Sequence, residues 1–131
     1  MLEDIQSYLV AHGIGVLPGN NTDWSIFIRK MPDDKTAPDQ IIGLYSQPGQ
    51  DPQDNVAYPR LTVYVRSKPN ESNIAYTKLR SIYTALHTTF DEVGADYVSI
   101  LAHGSEPLDL GQDTKFRQVL SWSFEVIKHV S

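Results

Sequence analysis

The sequence contains no cysteine in its 131 residues. This absence excludes a disulfide framework, a thiolate nucleophile and cysteine-based metal sites. Long apolar runs are absent as well, since no stretch approaches the ~20 residues of a membrane-spanning helix. The first four residues, Met1–Asp4, are acidic and amphipathic, whereas a signal peptide begins basic and then runs apolar. We therefore expect no membrane segment, and a protein that stays in a cytosol or in a particle assembled there.

Positive charge is also in short supply. The net charge is −5 and the eleven lysines and arginines are scattered along the chain. A nucleic-acid-binding module usually carries a basic surplus or stripe, because it has to neutralise phosphates. Tight general DNA binding is therefore disfavoured. An acidic surface past which DNA slides without sticking is compatible with these numbers.

The remaining composition is that of an ordinary globular protein, with 40% hydrophobic and 21% charged residues. A chain of this length can bury about two-thirds of its unfolded surface, so it needs no disulfide or metal. We find no repeat and no linker. The sequence predicts one domain over residues 1–131.

Apolar periodicity indicates seven elements. A helix is predicted over Leu2–His12 with Gly13 as its C-terminal cap, and a second over Glu71–Thr88 with Asn70 as its N-cap. Alternation predicts strands at Trp24–Arg29, Ile41–Tyr45, Arg60–Ser67, Tyr97–Ala102 and Val119–Val126. The order α-β-β-β-α-β-β predicts an α+β fold. We expect one mixed or antiparallel sheet of about five strands with both helices on one face.

Two segments between these elements are predicted to be long loops, Ser46–Tyr58 and Gly104–Lys115, because they are rich in turn residues. The sheet face opposite the helices is expected to meet solvent or another subunit. It would carry Thr62, Tyr64, Arg66, Ser121, Ser123 and Glu125. Aromatic residues on the strands are interpreted as core or interface residues: Trp24, Tyr64, Trp122 and Phe124.

Histidines are the first candidates for chemistry, and they number four: His12, His87, His103 and His129. Two are predicted to end a helix and two to end a strand. No pair has the three- or four-residue spacing that places two imidazoles on one metal. A structural or solvated role is the better interpretation, because a histidine near a helix C-terminus is favoured by the dipole alone.

The acidic and glycine-containing motifs also have simpler explanations. Asp109–Asp113 lacks the oxygens of a calcium loop and is predicted to be a turn, as is Asp33-Asp34. Gly13-Ile14-Gly15 follows a helix, whereas a phosphate-binding loop follows a strand. The Asn70-Glu71-Ser72 glycosylation pattern has no secretory signal to accompany it. The sequence therefore predicts no catalytic, cofactor-binding or metal-binding residues. A small enzyme whose site forms from distant residues stays an alternative, and so does a nucleic-acid module with a contiguous basic patch.

Taken together in order, the segments are similar to a known family. The chain resembles the minor capsid or tail terminator proteins of long-tailed bacteriophages. The most telling segment is Tyr58–Arg66, and Asp34–Asp39 departs from the usual pattern. The other segments that carry the resemblance are Leu2–Leu9, Phe27–Asp33, Ile41–Tyr45, Ala75-Tyr76, Ile82–His87, Pro107, Leu110–Asp113 and Phe124–Ile127.

The resemblance implies a structural virion protein and no enzyme. Proteins of this family form a ring, usually of six subunits, that caps the completed tail tube, stops its growth and supplies the surface joining the head. The implied partners are further copies of the chain, the tail tube protein and a head–tail connector protein, with DNA only as passing cargo. Assembly would take place in the bacterial host cytoplasm. Another head–tail joining protein, such as a neck completion protein, is the near alternative.

Overall fold

The computed structural model describes residues 1–19, 23–34, 36–89 and 92–129. These described residues form two helices and five strands. In order these are α1 (Leu2–Ala11), β1 (Ser25–Ile28), β2 (Ile41–Gln53), β3 (Val56–Pro69), α2 (Ser72–Leu86), β4 (Tyr97–Gln112) and β5 (Arg117–His129). The predicted α+β order is confirmed.

The five strands form one mixed sheet in the order β1-β2-β3-β5-β4. β1 pairs parallel with β2, and the other three pairings are antiparallel. Val63 lies opposite Trp122, and Ile100 lies opposite Val126. Directly opposed residues share a face of the sheet, so these registers collect the apolar side chains of all the central strands on one side.

Both helices cover that apolar face. α1 contacts β1 and β2, while α2 contacts β3, β4 and β5. The helices also touch each other, since the Tyr8 hydroxyl donates to the Ala85 carbonyl at 2.9 Å. The stripe predicted in α1 from helical spacing is buried: Leu2, Ile5, Tyr8 and Leu9. The stripe predicted in α2 comprises Ile74, Ala75, Leu79, Ile82, Tyr83 and Leu86. Four of these are buried and Tyr83 is partly buried, but Ile74 is 46% exposed, so its prediction is wrong.

The helix ends follow the prediction at one site and depart from it at another. Gly13 has φ +71° and its N–H bonds the Val10 carbonyl, so the predicted cap is confirmed. Asn70 is not an N-cap. Its φ is +61° and its N–H bonds the Phe116 carbonyl, because it serves the turn that leads out of β3. The N-cap is Glu71, without a side-chain cap.

The prediction of two long loops is wrong, because both segments are mainly strand. Ser46–Tyr58 extends β2 and β3 as a hairpin that turns at Asp54-Asn55; we call it the distal hairpin. Gly104–Lys115 holds the second half of β4, and Gly104–Arg117, which we call the edge hairpin, joins β4 to β5. Prolines are tolerated in strands at edges and bulges, so turn-rich composition was misleading there.

Candidate assembly surface

The sheet face opposite the helices holds a shallow pocket lined in part by Met31, Tyr45 and Tyr64, and we call this face the trough. Its floor carries small polar residues at the centre of the sheet, where Thr62 Oγ1 lies 3.2 Å from Ser123 Oγ. Tyr45 and Tyr64 meet edge to face beside them, with ring centroids 5.2 Å apart. This face was expected to meet solvent or another subunit. Part of it is covered by the chain itself, since Arg66 and Ser121 are buried.

One wall of the trough is formed by Met31–Asp34 and Thr36–Asp39, which cross over the ends of β2 and β3. Arg66 holds it by donating to three backbone carbonyls, those of Pro32, Pro38 and Asp39, each at 2.9 Å. Gly43 lets the segment approach, because an added Cβ would lie 2.7 Å from Met31 Cγ. The arginine is thus a tie between the sheet and this wall.

A second arginine, Arg117, holds the same wall by binding carboxylate side chains of that segment. Arg117 is 3% exposed. Its guanidinium lies 2.6 Å from Asp33, 3.3 Å from Asp39 and 2.7 Å from Asp113. The hydrogen bond from Arg117 and then that from Lys115 hold the pKa of Asp33 below its usual value. We call Arg117, Asp33, Asp39 and Asp113 the arginine cluster. Asp33 was predicted as a turn residue with a solvated charge; it is exposed, and in addition it is an ion-pair partner of Arg117.

The other wall of the trough is the base of the distal hairpin. A cleft of about 900 Å³ opens there, between Gln47–Gln50 of β2 and Glu125–Ile127 of β5. Gly49 shapes the bulge above it with φ +66°, and an added Cβ would collide with the Tyr58 carbonyl oxygen. Arg60 lies in the cleft. Its Nε is shielded from water with no hydrogen-bond partner, and its Nη2 is 3.6 Å from Glu125.

The edge hairpin exposes three large apolar side chains at the opposite end of the sheet. They are Leu108 (61% exposed), Leu110 (49%) and Phe116 (60%), and we call them the apolar patch. Leu108 lies opposite Ser121, so it projects on the trough side, and alternation places Leu110 on the same side. Exposed apolar side chains gathered in this way are typical of interaction surfaces.

The two outer edges of the sheet are protected to different extents. At β1, the Ile26 carbonyl accepts from Gln6 Nε2 at 2.7 Å and the Ile26 N–H bonds the Val16 carbonyl. At β4, the end of α2 protects Ile100 and Ala102. Beyond Ala102, no strand lies beside the outer edge of β4 within the described ranges. This free stretch of edge is the one that carries the apolar patch.

The histidines are dispersed over the fold. His12 stacks on Tyr8, with Nδ1 2.9 Å from the Tyr8 carbonyl. His87 follows α2, and its Nδ1 accepts the Ala102 N–H at 2.9 Å. His103 lies inside β4 opposite Ser123, so its prediction as a strand end is wrong. His129 lies at the end of β5. In the part of the chain that the structure describes, no three His, Asp or Glu side chains form a metal-binding group.

The acidic motif Asp109–Asp113 is only partly the predicted turn. Asp109 and Gln112 belong to β4. Asp109 accepts from the Gly111 N–H and from Gln118 Nε2, each at 2.7 Å, and these bonds hold its pKa below the usual value. Asp113 does form a turn, because it accepts the Lys115 N–H at 2.9 Å. Both carboxylates therefore serve to shape the edge hairpin.

The aromatic residues expected in the core or at an interface divide between the faces. Trp122 is buried under α2, where it stacks on Tyr83 with ring centroids 4.5 Å apart. Phe124 is fully buried on the same side. Trp24 is half-buried with Lys78 Nζ 5.4 Å above its ring, and Tyr64 lies in the trough. Sequence patterns missed Arg117, since a lone charged residue at a strand start carries no periodic signal.

Residues 8–130 match a family model described as bacteriophage tail terminator protein. The match covers most of the chain, and the chain belongs to this family. It is accordingly a structural component of the phage tail and of the virion, which interacts with other tail or head proteins. No curated protein matches the chain. Neither helix in the described ranges is long and apolar enough to cross a membrane.

Proposed function

We propose that this protein forms a ring that caps the completed tail tube, stops its growth and supplies the surface to which the head is joined. Residues 1–131 act as one unit in this role, without catalytic residues. The partners are further copies of the chain, six to a ring as the family resemblance implies, together with a tail tube protein and a head–tail connector protein. Assembly takes place in the host cytoplasm, and DNA passes through the ring as cargo.

The observation that carries this proposal is the pair of unlike surfaces at opposite ends of the sheet. A ring of identical subunits needs a heterologous interface, in which one patch meets a different patch on the neighbour. The apolar patch lies on the edge hairpin, and the cleft lies at the base of the distal hairpin. A single-face dimer would need only one self-complementary surface, so two different surfaces favour a ring.

The tip of the distal hairpin is suited to line the channel. It carries Asp51 and Asp54, and no lysine or arginine occurs from Tyr45 to Pro59. The residues from Ser46 to Asn55 are exposed. Exposed carboxylates repel phosphates, so DNA could pass without adhering. Replacing Asp54 by lysine should make assembled rings retain DNA at low salt, whereas Glu3→Lys, a matched change of an exposed residue on α1, should not.

The proposal is tested by adding purified protein to tail tubes that lack a terminator. Electron microscopy should show a ring at one tube end, and capped tubes should not lengthen when more tube protein is supplied. Light scattering at high protein concentration reports whether the ring forms without a tube. A strict monomer that binds no tube end would overturn the proposal. Binding to the head side alone, with tubes still growing, would favour the neck completion role.

A further inference from the structure

The geometry points to a specific ring contact: the apolar patch of one subunit inserts into the cleft of the next subunit. The occupant of the cleft is thus a second copy of this chain. This inference rests on the proposed ring and identifies the two surfaces that close it. Leu108 and Leu110 are the inserted side chains, and Arg60 with the bulge at Gly49 forms the receiving site.

A subunit cannot fill its own cleft. Leu108 lies beside Ser121 of β5, and the cleft begins at Glu125 of the same strand. Four residues of a strand span about 13 Å. The patch also lies on the outermost strand, β4, whereas the cleft is lined by the inner strands β2, β3 and β5. The contact is therefore between subunits, and it is head-to-tail.

The chemistry of the two surfaces is complementary. The cleft has an apolar lining that includes Pro48, Pro59 and Ile127, which suits leucine side chains. Arg60 has an unpartnered Nε, and the 3.6 Å to Glu125 is too long for a hydrogen bond. The Arg60 side chain is 33% exposed, so the exposed part of its guanidinium can donate to a further carboxylate. The edge hairpin brings Glu106, whose ion pair with Arg80 at 3.3 Å is exposed on both sides and therefore weak enough to be exchanged for one with Arg60 of the neighbour.

The free edge of β4 and the distal hairpin do not offer a competing strand-to-strand contact. Pro48 and Pro52 each remove a backbone donor from the outer part of β2. Prolines at such positions are a common means of preventing edge pairing. Side-chain insertion at the hairpin base leaves these prolines in place and uses Pro48 as part of the receiving wall.

Cross-linking tests the contact directly, because the chain has no cysteine of its own and introduced thiols are therefore unique. The variants are Leu108→Cys, Gln50→Cys and the double variant carrying both. Each is assembled on tail tubes and treated with a short bismaleimide. The double variant should give a ladder of linked oligomers up to the full ring, and each single variant should stay monomeric on a denaturing gel. Thr84→Cys with Gln50→Cys, which places one thiol on the outer side of α2, is the control without a ladder.

A second test introduces negative charge into the apolar patch and measures how assembly changes. Leu108→Asp with Leu110→Asp should raise the protein concentration needed for half-assembly by at least about tenfold, since two buried leucines are lost from the contact. Leu17→Asp is the matched control, because Leu17 is 56% exposed and lies outside both surfaces. Circular dichroism should show all these variants folded.

The outcomes separate this inference from the proposed function. Rings on tube ends without a ladder in the double variant, or a ladder equal to that of the control, would overturn the contact and leave the ring intact. Cross-linking of Leu108→Cys alone would mean that two apolar patches meet, which also overturns it. Failure of the unmodified protein to bind tubes would overturn the proposed function and the contact with it.

Discussion

Replacing Arg117 by methionine removes the centre of the arginine cluster while keeping a long side chain in its place. The guanidinium is 3% exposed and contacts Asp33, Asp39 and Asp113. Removing one partner of a fully buried ion pair costs about 3–5 kcal/mol. The three carboxylates here have exposed fractions of 55%, 49% and 28%, so water can solvate them once the arginine is gone. We therefore expect a smaller loss, of about 2–3 kcal/mol.

This free energy translates into a change in melting temperature. Unfolding entropies near 60 °C are about 2.1 cal/mol/K per residue, and the chain has 131 residues. One kcal/mol then corresponds to about 3.6 °C, so Arg117→Met should lower Tm by roughly 7–11 °C. Differential scanning calorimetry measures this shift. Lys115→Met is the matched control: its ion pair with Asp33 is exposed, and its loss should cost under about 0.5 kcal/mol. If Arg117→Met cost no more than this control, the cluster would not hold the wall of the trough.

The same cluster should make stability depend on pH in acid. The pKa of Asp33 is lowered by the hydrogen bonds from Arg117 and Lys115. For Asp113, burial opposes the shift, but the bonds from Arg117 outweigh it and its pKa is lowered too. A lowered pKa in the folded state gives stability that is present above the unfolded value of 3.8 and is lost as pH falls through the folded value. The Tm difference between the unmodified protein and Arg117→Met should therefore be full at about pH 7 and shrink below about pH 3.8. A difference that persists unchanged at about pH 2.5 would contradict this assignment.

Two further predictions concern single residues. Gly13→Ala should cost about 1–2 kcal/mol for its left-handed backbone alone, and Gly49→Ala should destabilise the distal hairpin by more than this. The reason is that the added Cβ meets the Tyr58 carbonyl at Gly49 and nothing within 4 Å at Gly13. Hydrogen exchange at the hairpin amides and urea titration measure the two losses, and equal losses would show that the collision is relieved. His87→Ala should cost about 1–3 kcal/mol, because the Ala102 N–H loses its acceptor at 2.9 Å. His87→Asn is the control, since asparagine can keep an acceptor there. An equal loss of unfolding free energy for both variants in chemical denaturation would show that this hydrogen bond contributes nothing.

Much of the fold could be predicted from the sequence, because burial on one side leaves a periodic pattern. The stripe in α2 and the alternation around Val63 and Trp122 report which side faces the core. The family resemblance, carried chiefly by Tyr58–Arg66, agrees with the family match. The distal hairpin could not be found in this way. Its β2 strand is exposed beyond Tyr45 and its β3 strand is uniformly half-buried from Val56 to Arg60, so no alternation marks them, and only pairing across the hairpin defines them.

The sequence by itself determined the order of elements, the apolar face of the sheet and the lack of thiol chemistry, because each depends on residue type and local spacing. The tertiary structure alone decided how Arg66 and Arg117 are used, since their partners come from the distant segment Met31–Asp39 and from the edge hairpin. It also decided that the apolar patch and the cleft lie at opposite ends of the sheet. That separation depends on strand order and register, which bring together residues far apart in the chain, and local patterns carry no information about it.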